Sequence, residues 1–366
     1  MSRKHILRLC GAASKPFLQP QLGYINHRHQ QQLLTTTTTT SSSILPQLII
    51  NHQRTYSSTT GNVPLSQFPP SNRLTGRTCM ITGGTSGIGF AIAERFLQEG
   101  ASRVILIGRS YERLLHAASR LETCLSKSEP VETPSTDAHQ PTTNPGNHHL
   151  IHSSERISLL VGDISEAGSW LRELEKAMQT TNPSILINAA GLSISSILPK
   201  SEPSDISRIL RTNLEGAILT SRAFIRASIR NRVKKRTPSP SASIEPHEPS
   251  KCIINISSLL AHKSGTGAVP YAASKAGILG LTRSVAVETA ASLRGVVVRS
   301  NAIVPGYIET PMISDFTEGE TARLRETIPI RRFGRADEVA DAAVFLAQNE
   351  YANNCVLNLD GGLSAV

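Results

Sequence analysis

The chain has 366 residues and a formal charge of +10, but its first 56 residues hold six Lys or Arg and no acid, so the remainder carries only +4. The excess is mostly a tail and not a basic face with aromatic platforms, which argues against nucleic-acid binding. Five scattered cysteines give neither a disulfide framework nor a zinc pattern, and no run approaches the ~20 apolar residues of a membrane span.

Residues 1–56 are rich in Arg, Ser, Thr and Gln, with Ile6, Leu7 and Leu9 set beside Arg3, Lys4 and Arg8. This is the composition of a mitochondrial presequence, and RTYSS at 54–58 resembles a processing site that leaves Ser57 as the mature N-terminus. The expected compartment is the mitochondrial matrix. Residues 57–74 are expected as a linker and 75–366 as one α/β domain.

From Thr78 onward, short apolar runs alternate with amphipathic stretches, the rhythm of a parallel sheet covered by helices on both faces. Seven strands are predicted, near 78–82, 103–107, 157–161, 184–187, 252–256, 296–300 and 355–359. They imply a single-domain Rossmann fold with a doubly wound, seven-stranded parallel sheet. Two Pro-, Ser- and Thr-rich segments, about 126–154 and 237–250, break the rhythm and are expected as disordered loop insertions. His139, His148, His149 and His152 fall in the first without ligand spacing, so no metal is expected. Cys79 and Cys252 fall in predicted strands, where free, inert thiols are expected.

The first strand runs into TGGTSGIG at 82–89 and then an amphipathic helix. Glycines at 83, 87 and 89 let the backbone turn tightly, approach a pyrophosphate and pack the helix on the sheet, while the helix start offers free N–H groups to phosphate. Where the second strand ends, an acid would hold a ribose 2′-hydroxyl. This chain has Gly108-Arg109-Ser110 there, and the Arg109 fork and Ser110 hydroxyl suit a 2′-phosphate, so NADP(H) is the expected cofactor.

Tyr271 and Lys275 lie four apart in a predicted helix and share a face. A phenol titrates near ~10, and an ammonium at about 4 Å in an effective dielectric near 20 contributes roughly 4 kcal/mol, about 3 pKa units toward phenolate. The pair therefore has the chemistry of a proton donor to a carbonyl.

Together with Asp163, NAAG at 188–191, RTNLEG at 211–216, ISS at 256–258, YAASK at 271–275 and PGYIET at 305–310, these features make the chain from Thr75 to Leu363 resemble the short-chain dehydrogenase/reductase family. Within the family it looks most like the 3-oxoacyl-[acyl-carrier-protein] reductases, through YAASKAGILGLTRSVAVE, VPGYIETPM, IPIRRFGRADEVADAAVFLA and LNLDGG. The resemblance implies a catalytic set of Ser258, Tyr271, Lys275 and Asn213. In it Ser258 bonds the substrate carbonyl, with Ser257 the adjacent alternative, and Asn213 holds a water that relays protons to Lys275.

It further implies cofactor contacts at Thr82, Gly83, Thr85, Ser86, Gly87, Ile88 and Gly89, with Asp163 and Ile164 near adenine and Asn188, Ala189 and Gly191 near ribose. Pro305, Gly306, Ile308 and Thr310 would lie by the nicotinamide amide and pyrophosphate, beside Arg109, Ser110, Tyr271 and Lys275. The implied substrate is a 3-oxoacyl thioester on an acyl-carrier protein, and the implied assembly a homotetramer. For the acidic carrier, Arg222, Arg226, Arg230, Arg232, Lys234, Lys235, Arg236 and Arg294 offer a basic rim. The same residues would also serve a reductase of a free ketone, quinone, steroid or polyketide intermediate, and the fold alone would serve a non-catalytic scaffold. NEYANNC at 349–355 replaces the family's glycine-bearing turn, a departure that bears on subunit and carrier surfaces.

Overall fold

A computed structural model of the chain describes residues 71–126, 150–235, 249–263, 265–292, 297–314 and 316–366. The strands are β1 (Thr78–Thr82), β2 (Arg103–Gly108), β3 (Leu150–His152), β4 (Ile157–Val161), β5 (Ile185–Asn188), β6 (Lys251–Ile256), β7 (Val298–Pro305) and β8 (Val356–Leu359). The helices are α1 (Gly87–Gln98), α2 (Tyr111–Ser126), α3 (Leu171–Thr181), α4 (Pro203–Leu210), α5 (Gly216–Lys235), α6 (Val269–Ser292), α7 (Glu318–Thr327) and α8 (Ala336–Gln348). The sheet runs in the order β3-β4-β2-β1-β5-β6-β7-β8. The chain winds outward from β1 through β2 to β4, then returns to β5 on the other side of β1. The ends of β1 and β5 thus flank the switch point at which open α/β sheets bind ligands.

Alternate residues of each strand enter opposite cores, because a strand's side-chain period is two. Cys79, Ile81, Val104 and Leu106 join α1 and α8 residues such as Phe96 and Val344 on one face. Met80, Ile105 and Ile107 join Trp170, Leu174 and Phe224 on the other. Burial on both faces explains why these strands read as unbroken apolar runs. The same burial pushes the Cys79 thiol up to about 12, and among the described residues Cys79, Cys124, Cys252 and Cys355 form no disulfide.

Two sequence expectations are corrected. The sheet has an eighth strand, because the end of the first expected insertion folds back: β3 pairs antiparallel with β4, with Ile151 opposite Leu159. His152 is bonded to Ser158 (Nδ1 to Oγ 3.0 Å), and the added strand covers an otherwise open sheet edge. The expected linker also ends too late, since Leu74 is fully buried and Ser71 and Arg73 bind Glu99. The expected presequence, the rest of the expected linker and most of both expected insertions lie outside the described residues. Among the described residues no helix is long and apolar enough to cross a membrane.

The turn that departs from the family pattern is held by a buried cation. Arg299 donates through Nη1 to the carbonyls of Leu346 (2.7 Å) and Ala352 (2.9 Å), through Nη2 to Ala347 (2.8 Å), and through Nε to Ser250 Oγ (2.7 Å). One guanidinium thereby satisfies carbonyls that the end of α8 leaves without helical partners.

Glu99, just past α1, is likewise fully buried. It pairs with Arg73 (2.6 Å) and Arg95 (2.9 Å), and Arg95 also reaches Asp341 of α8 (2.7 Å). Burial alone would raise its pKa, but the Arg73 hydrogen bond and the Ser71 and Arg73 amides hold it down to about 2. A carboxylate depressed in this way stabilises the fold above its unfolded value, and that contribution fades as pH falls from about 4.5 toward 2. Urea titrations should show Glu99→Ala costing about 3–5 kcal/mol at neutral pH, because two arginines lose their shared acid. The gap from the parent protein should narrow as the pH is lowered through that window.

Candidate active site

The glycine loop follows β1 directly. Gly83 has φ +69°, and a Cβ there would lie 2.8 Å from the backbone of Ala190; one on Gly89 would lie 2.4 Å from the Gly83 carbonyl oxygen. Only glycine permits both approaches. Ser86 precedes α1 without a side-chain cap, and the first turn carries no acid. Its N–H groups are therefore not occupied by side-chain caps, and Thr85, Ser86, Gly87 and Ile88 are half-buried around them. Thr310 closes on this loop from the 305–310 segment, its Cγ2 3.4 Å from where a Gly87 Cβ would stand. Pro305 ends β7 in register with Leu359, Gly306 lies against the Asp360 backbone, and Ile308 is buried and bridged to Gly334. These residues fit a dinucleotide: a tight turn, unoccupied amides and an acid-free helix start.

Arg109 is exposed at the end of β2 and lines a cavity of about 430 Å³ with Gly162, Asp163, Glu166 and Trp170. Ser110, expected beside it as a second phosphate donor, is occupied otherwise. Its hydroxyl donates to Glu112 (2.8 Å) and accepts from the Arg113 amide (3.3 Å), which is the work of a helix cap.

Four more residues expected as cofactor contacts are engaged within the protein. Thr82 is buried, donates to the Ile187 carbonyl (3.3 Å) and accepts the Ala189 and Ala190 amides (both 3.2 Å), so it and Ala189 stitch β1 to the turn after β5. Asn188 is consumed inside the protein: Nδ2 donates to Asn255 Oδ1 (2.8 Å) and Ser221 Oγ (3.1 Å), and Oδ1 accepts from Thr220 (2.7 Å). Ile164 is buried beneath Gly216, whose absent Cβ would lie 2.3 Å from its Cγ2. Asp163 does face the Arg109 cavity, with Oδ1 anchored by the Ser165 amide and hydroxyl (2.9 and 2.8 Å).

The four expected catalytic residues come together beyond the ends of β5 and β6. Tyr271 and Lys275 share a face of α6, and the Lys275 ammonium lies 5.6 Å from the Tyr271 ring centroid while donating to the Ile256 carbonyl (2.8 Å). Gly191 passes above, where a Cβ would stand 3.5 Å from Lys275 Nζ and 3.9 Å from Asn213 Oδ1. Asn213 sits in a π turn (Arg211–Glu215) between α4 and α5, a wide turn that recurs at functional sites. Its side chain accepts from the Leu192 amide (2.7 Å) and donates to the Leu192 carbonyl (2.9 Å) and Ser274 Oγ (3.0 Å).

The adjacent serines diverge. Ser258 starts a 3-10 turn, accepts the Leu260 amide (3.2 Å) and bonds Tyr271, whereas Ser257 is buried and donates to the Lys275 carbonyl (2.8 Å). Alternation along the end of β6 aims one at the phenol and the other at the helix backbone. Ser274, unremarked in the sequence, bridges Asn213 to the Tyr271 carbonyl (2.7 Å). Its only sequence signal is its place inside YAASK.

The electrostatics differ from expectation. Burial raises the Tyr271 pKa, against a hydrogen bond from Ser258 that lowers it, and burial also pushes Lys275 down to about 8. The expected stabilisation of phenolate by Lys275 assumed a fully charged ammonium at about 4 Å. The same dry environment that would strengthen that charge makes it expensive to keep.

Residues 148–364 match the family model described as Enoyl-(Acyl carrier protein) reductase, and residues 77–144 match that described as short chain dehydrogenase. The chain belongs to the short-chain dehydrogenase/reductase family. This short-chain dehydrogenase/reductase is 30% identical over 290 residues to the human 3-oxoacyl-[acyl-carrier-protein] reductase, spanning 79% of this chain and 99% of that protein. It is 31% identical over 293 residues to the Thermotoga maritima 3-oxoacyl-[acyl-carrier-protein] reductase, spanning 80% and 99%. Among solved structures, one described as an NAD(P) dependent gluconate 5-dehydrogenase from Beutenbergia cavernae, with bound NADP at low occupancy, matches with TM-score 0.63 at 25% identity, covering 83% of this chain and 100% of that one.

The divergence of the two serines is measurable. In ultraviolet difference titrations that use Tyr271→Phe as the blank, Ser258→Ala should raise the Tyr271 midpoint, because the hydrogen bond that lowers it is removed. Ser257→Ala should leave that midpoint in place and instead cost about 0.5–1.5 kcal/mol of stability by removing one buried hydrogen bond.

Proposed function

We propose that the protein reduces a 3-oxoacyl thioester, presented on an acyl-carrier protein in the mitochondrial matrix, to the 3-hydroxyacyl thioester with NADPH. The observation that carries this reading is the convergence of Tyr271, Ser258 and Lys275 beneath Gly191, next to a glycine loop and an exposed Arg109. The human and Thermotoga maritima relatives, both named for that activity, support the choice of ketone.

NADPH, when bound, supplies the hydride that reduces the ketone carbon. Thr85, Ser86, Gly87, Ile88 and Gly89 would hold its pyrophosphate, Arg109 its 2′-phosphate, Asp163 its adenine, and Thr310 the segment next to its nicotinamide. Ser258 donates a hydrogen bond to the ketone oxygen and stabilises the charge that develops there. Tyr271 gives that oxygen its proton, which its raised pKa keeps in place until the reaction demands it. Lys275 returns a proton to Tyr271 and is itself resupplied from solvent through water held at Asn213.

The basic rim supports carrier docking in part. Arg222, Arg226 and Arg230 all converge on Glu175, at 2.9, 3.2 and 3.2 Å, so three exposed cations share one acid and leave a positive surplus. Arg232 is exposed beyond them; the Lys234 and Lys235 side chains, Arg236 and Arg294 lie outside the described residues. Pairing of α5 and α6 between copies in a homotetramer is supported by Ile218 and Val287, which are 43% and 66% exposed on those helices. A free ketone is the competing substrate, favoured by the likeness to a gluconate dehydrogenase fold.

Side-by-side kinetics with an acyl-carrier thioester, acetoacetyl-coenzyme A and gluconate-type ketones separate these readings. Thioesters should turn over with NADPH in preference to NADH, and Tyr271→Phe should lower kcat/KM by roughly 10²–10⁴. Turnover that survives the substitution rejects the mechanism, and reduction of free ketones alone rejects the substrate.

The pH profile follows from Lys275. Reduction consumes a proton, and Lys275 loses its own as pH rises through about 8, so kcat/KM should fall about tenfold per unit above that value. Lys275→Arg keeps its charge and should move that limb to higher pH in whatever activity remains.

A further inference from the structure

Three distant segments meet in a small apolar cluster apart from the two main cores. Leu259, Ile328, Phe333 and Leu363 are buried together, with Ile313 and Leu324 packed against them. Leu259 directly follows Ser258, Ile313 and Leu324 belong to the segment between Gly306 and Ile330, and Leu363 opens a single 3-10 turn (Leu363–Ala365). The cluster therefore joins the loop of the candidate catalytic serine to the 306–330 segment and to the 363–366 turn.

Packing alone does not hold the 363–366 turn. Gly361 and Gly362, at φ +63° and +87°, reverse the chain before it, and Asp360 accepts the Gly362 and Ser364 amides (3.0 and 2.9 Å). A cavity of about 260 Å³ lies against the same reversal, lined by Ile328, Ile330, Asp360, Gly361 and Gly362. The turn is also tied by a side chain from the Ser258 loop: Lys263 Nζ donates to the Leu363 carbonyl (2.8 Å) and to a main-chain oxygen of Val366 (2.5 Å). A 3-10 turn this short leaves its last carbonyls without backbone partners, and an ammonium meets two at once. At its other end, the Lys263 amide donates to the Leu259 carbonyl (2.9 Å), so the lysine is built into the Ser258 loop.

We infer that Lys263 is a specificity-determining positioning residue, clamping the 363–366 turn to the Ser258 loop so that Leu259 and Leu363 form one fixed wall for the carbon chain beyond the ketone. Lys263 takes no part in the proton path, so its loss acts on substrate affinity and not on the chemical step. The inference rests on the acyl-thioester reading for the identity of that chain, but not for the clamp itself.

The test uses the full-length protein with Lys263→Met, which keeps the stem and removes the donors, and Lys263→Arg, which keeps a cation able to reach two carbonyls. Hydrogen exchange without substrate should show faster exchange over 259–266 and 361–366 in Lys263→Met, with the rates restored in Lys263→Arg. Unchanged exchange overturns the clamp whatever the substrate is. In kinetics, Lys263→Met should raise KM about tenfold for a long 3-oxoacyl thioester and about twofold for acetoacetyl thioester. Its kcat should stay within about twofold and its NADPH affinity should not change. Equal effects at both chain lengths, or a fall in kcat alone, overturn the specificity role. If the parent protein reduces no thioester, the substrate reading fails by itself, and the exchange experiment still decides the clamp.

Discussion

Lys275 is only 4% exposed, and its ammonium donates to one backbone carbonyl, that of Ile256, at 2.8 Å. Taking such a charge out of water costs several kcal/mol after relaxation, and the surroundings are arranged around that cost. Gly191 leaves room above Nζ for lack of a Cβ, and β6 ends so that the Ile256 carbonyl faces it. What the surroundings do not offset appears as a pKa pushed down to about 8. The lysine thereby gives up its proton nearer neutrality than a better-solvated lysine would, as the proposed proton path requires.

A buried ammonium is useful only if the helix that carries it cannot shift. Ser257 binds the Lys275 carbonyl from β6, and Ser274 binds the Tyr271 carbonyl while Asn213 binds Ser274 from the π turn. Two elements, the end of β6 and the π turn, thus fix one turn of α6 through side chains that need never touch a substrate. Below them, the Asn188, Asn255, Thr220, Ser221 and Thr282 network ties β5 and β6 to α5 and α6 inside an otherwise apolar layer. Such a network specifies one register, because a one-residue slip would bury several polar groups without partners.

Most of this was legible as architecture and less of it as roles. Seven strands stand within a few residues of their predicted places because double-sided burial writes continuous apolar runs. β3 was hidden because three residues carry too little periodicity, and because their low-complexity neighbours dominate the composition there. Motif matching brought Thr82, Asn188 and Ser110 forward as cofactor contacts, but it reads residue types and not the direction of a side chain. In the structure their side chains bond within a strand pair, a buried network and a helix cap. The sign of the Tyr271 shift escaped for the same reason, since burial is a property of the assembled fold and outweighs a charge whose own proton is loosened by that burial.

The two halves of the cleft are built on different physics. On the cofactor side, Gly83 and Gly89 are packed so closely that an added Cβ would lie 2.8 and 2.4 Å from main-chain atoms. That geometry tolerates almost no substitution, so it is the part that a sequence motif can announce. On the opposite side, the Ser258 loop, the 306–330 segment and the 363–366 turn are joined by a small apolar cluster and by the bonds of one lysine, beside a cavity. Contacts of that kind change with single residues and without disturbing the sheet. A family can therefore keep its hydride and proton chemistry constant while altering which ketone it accepts, and in this chain the alteration has to be sought at Leu259, Lys263 and Leu363 more than at Tyr271.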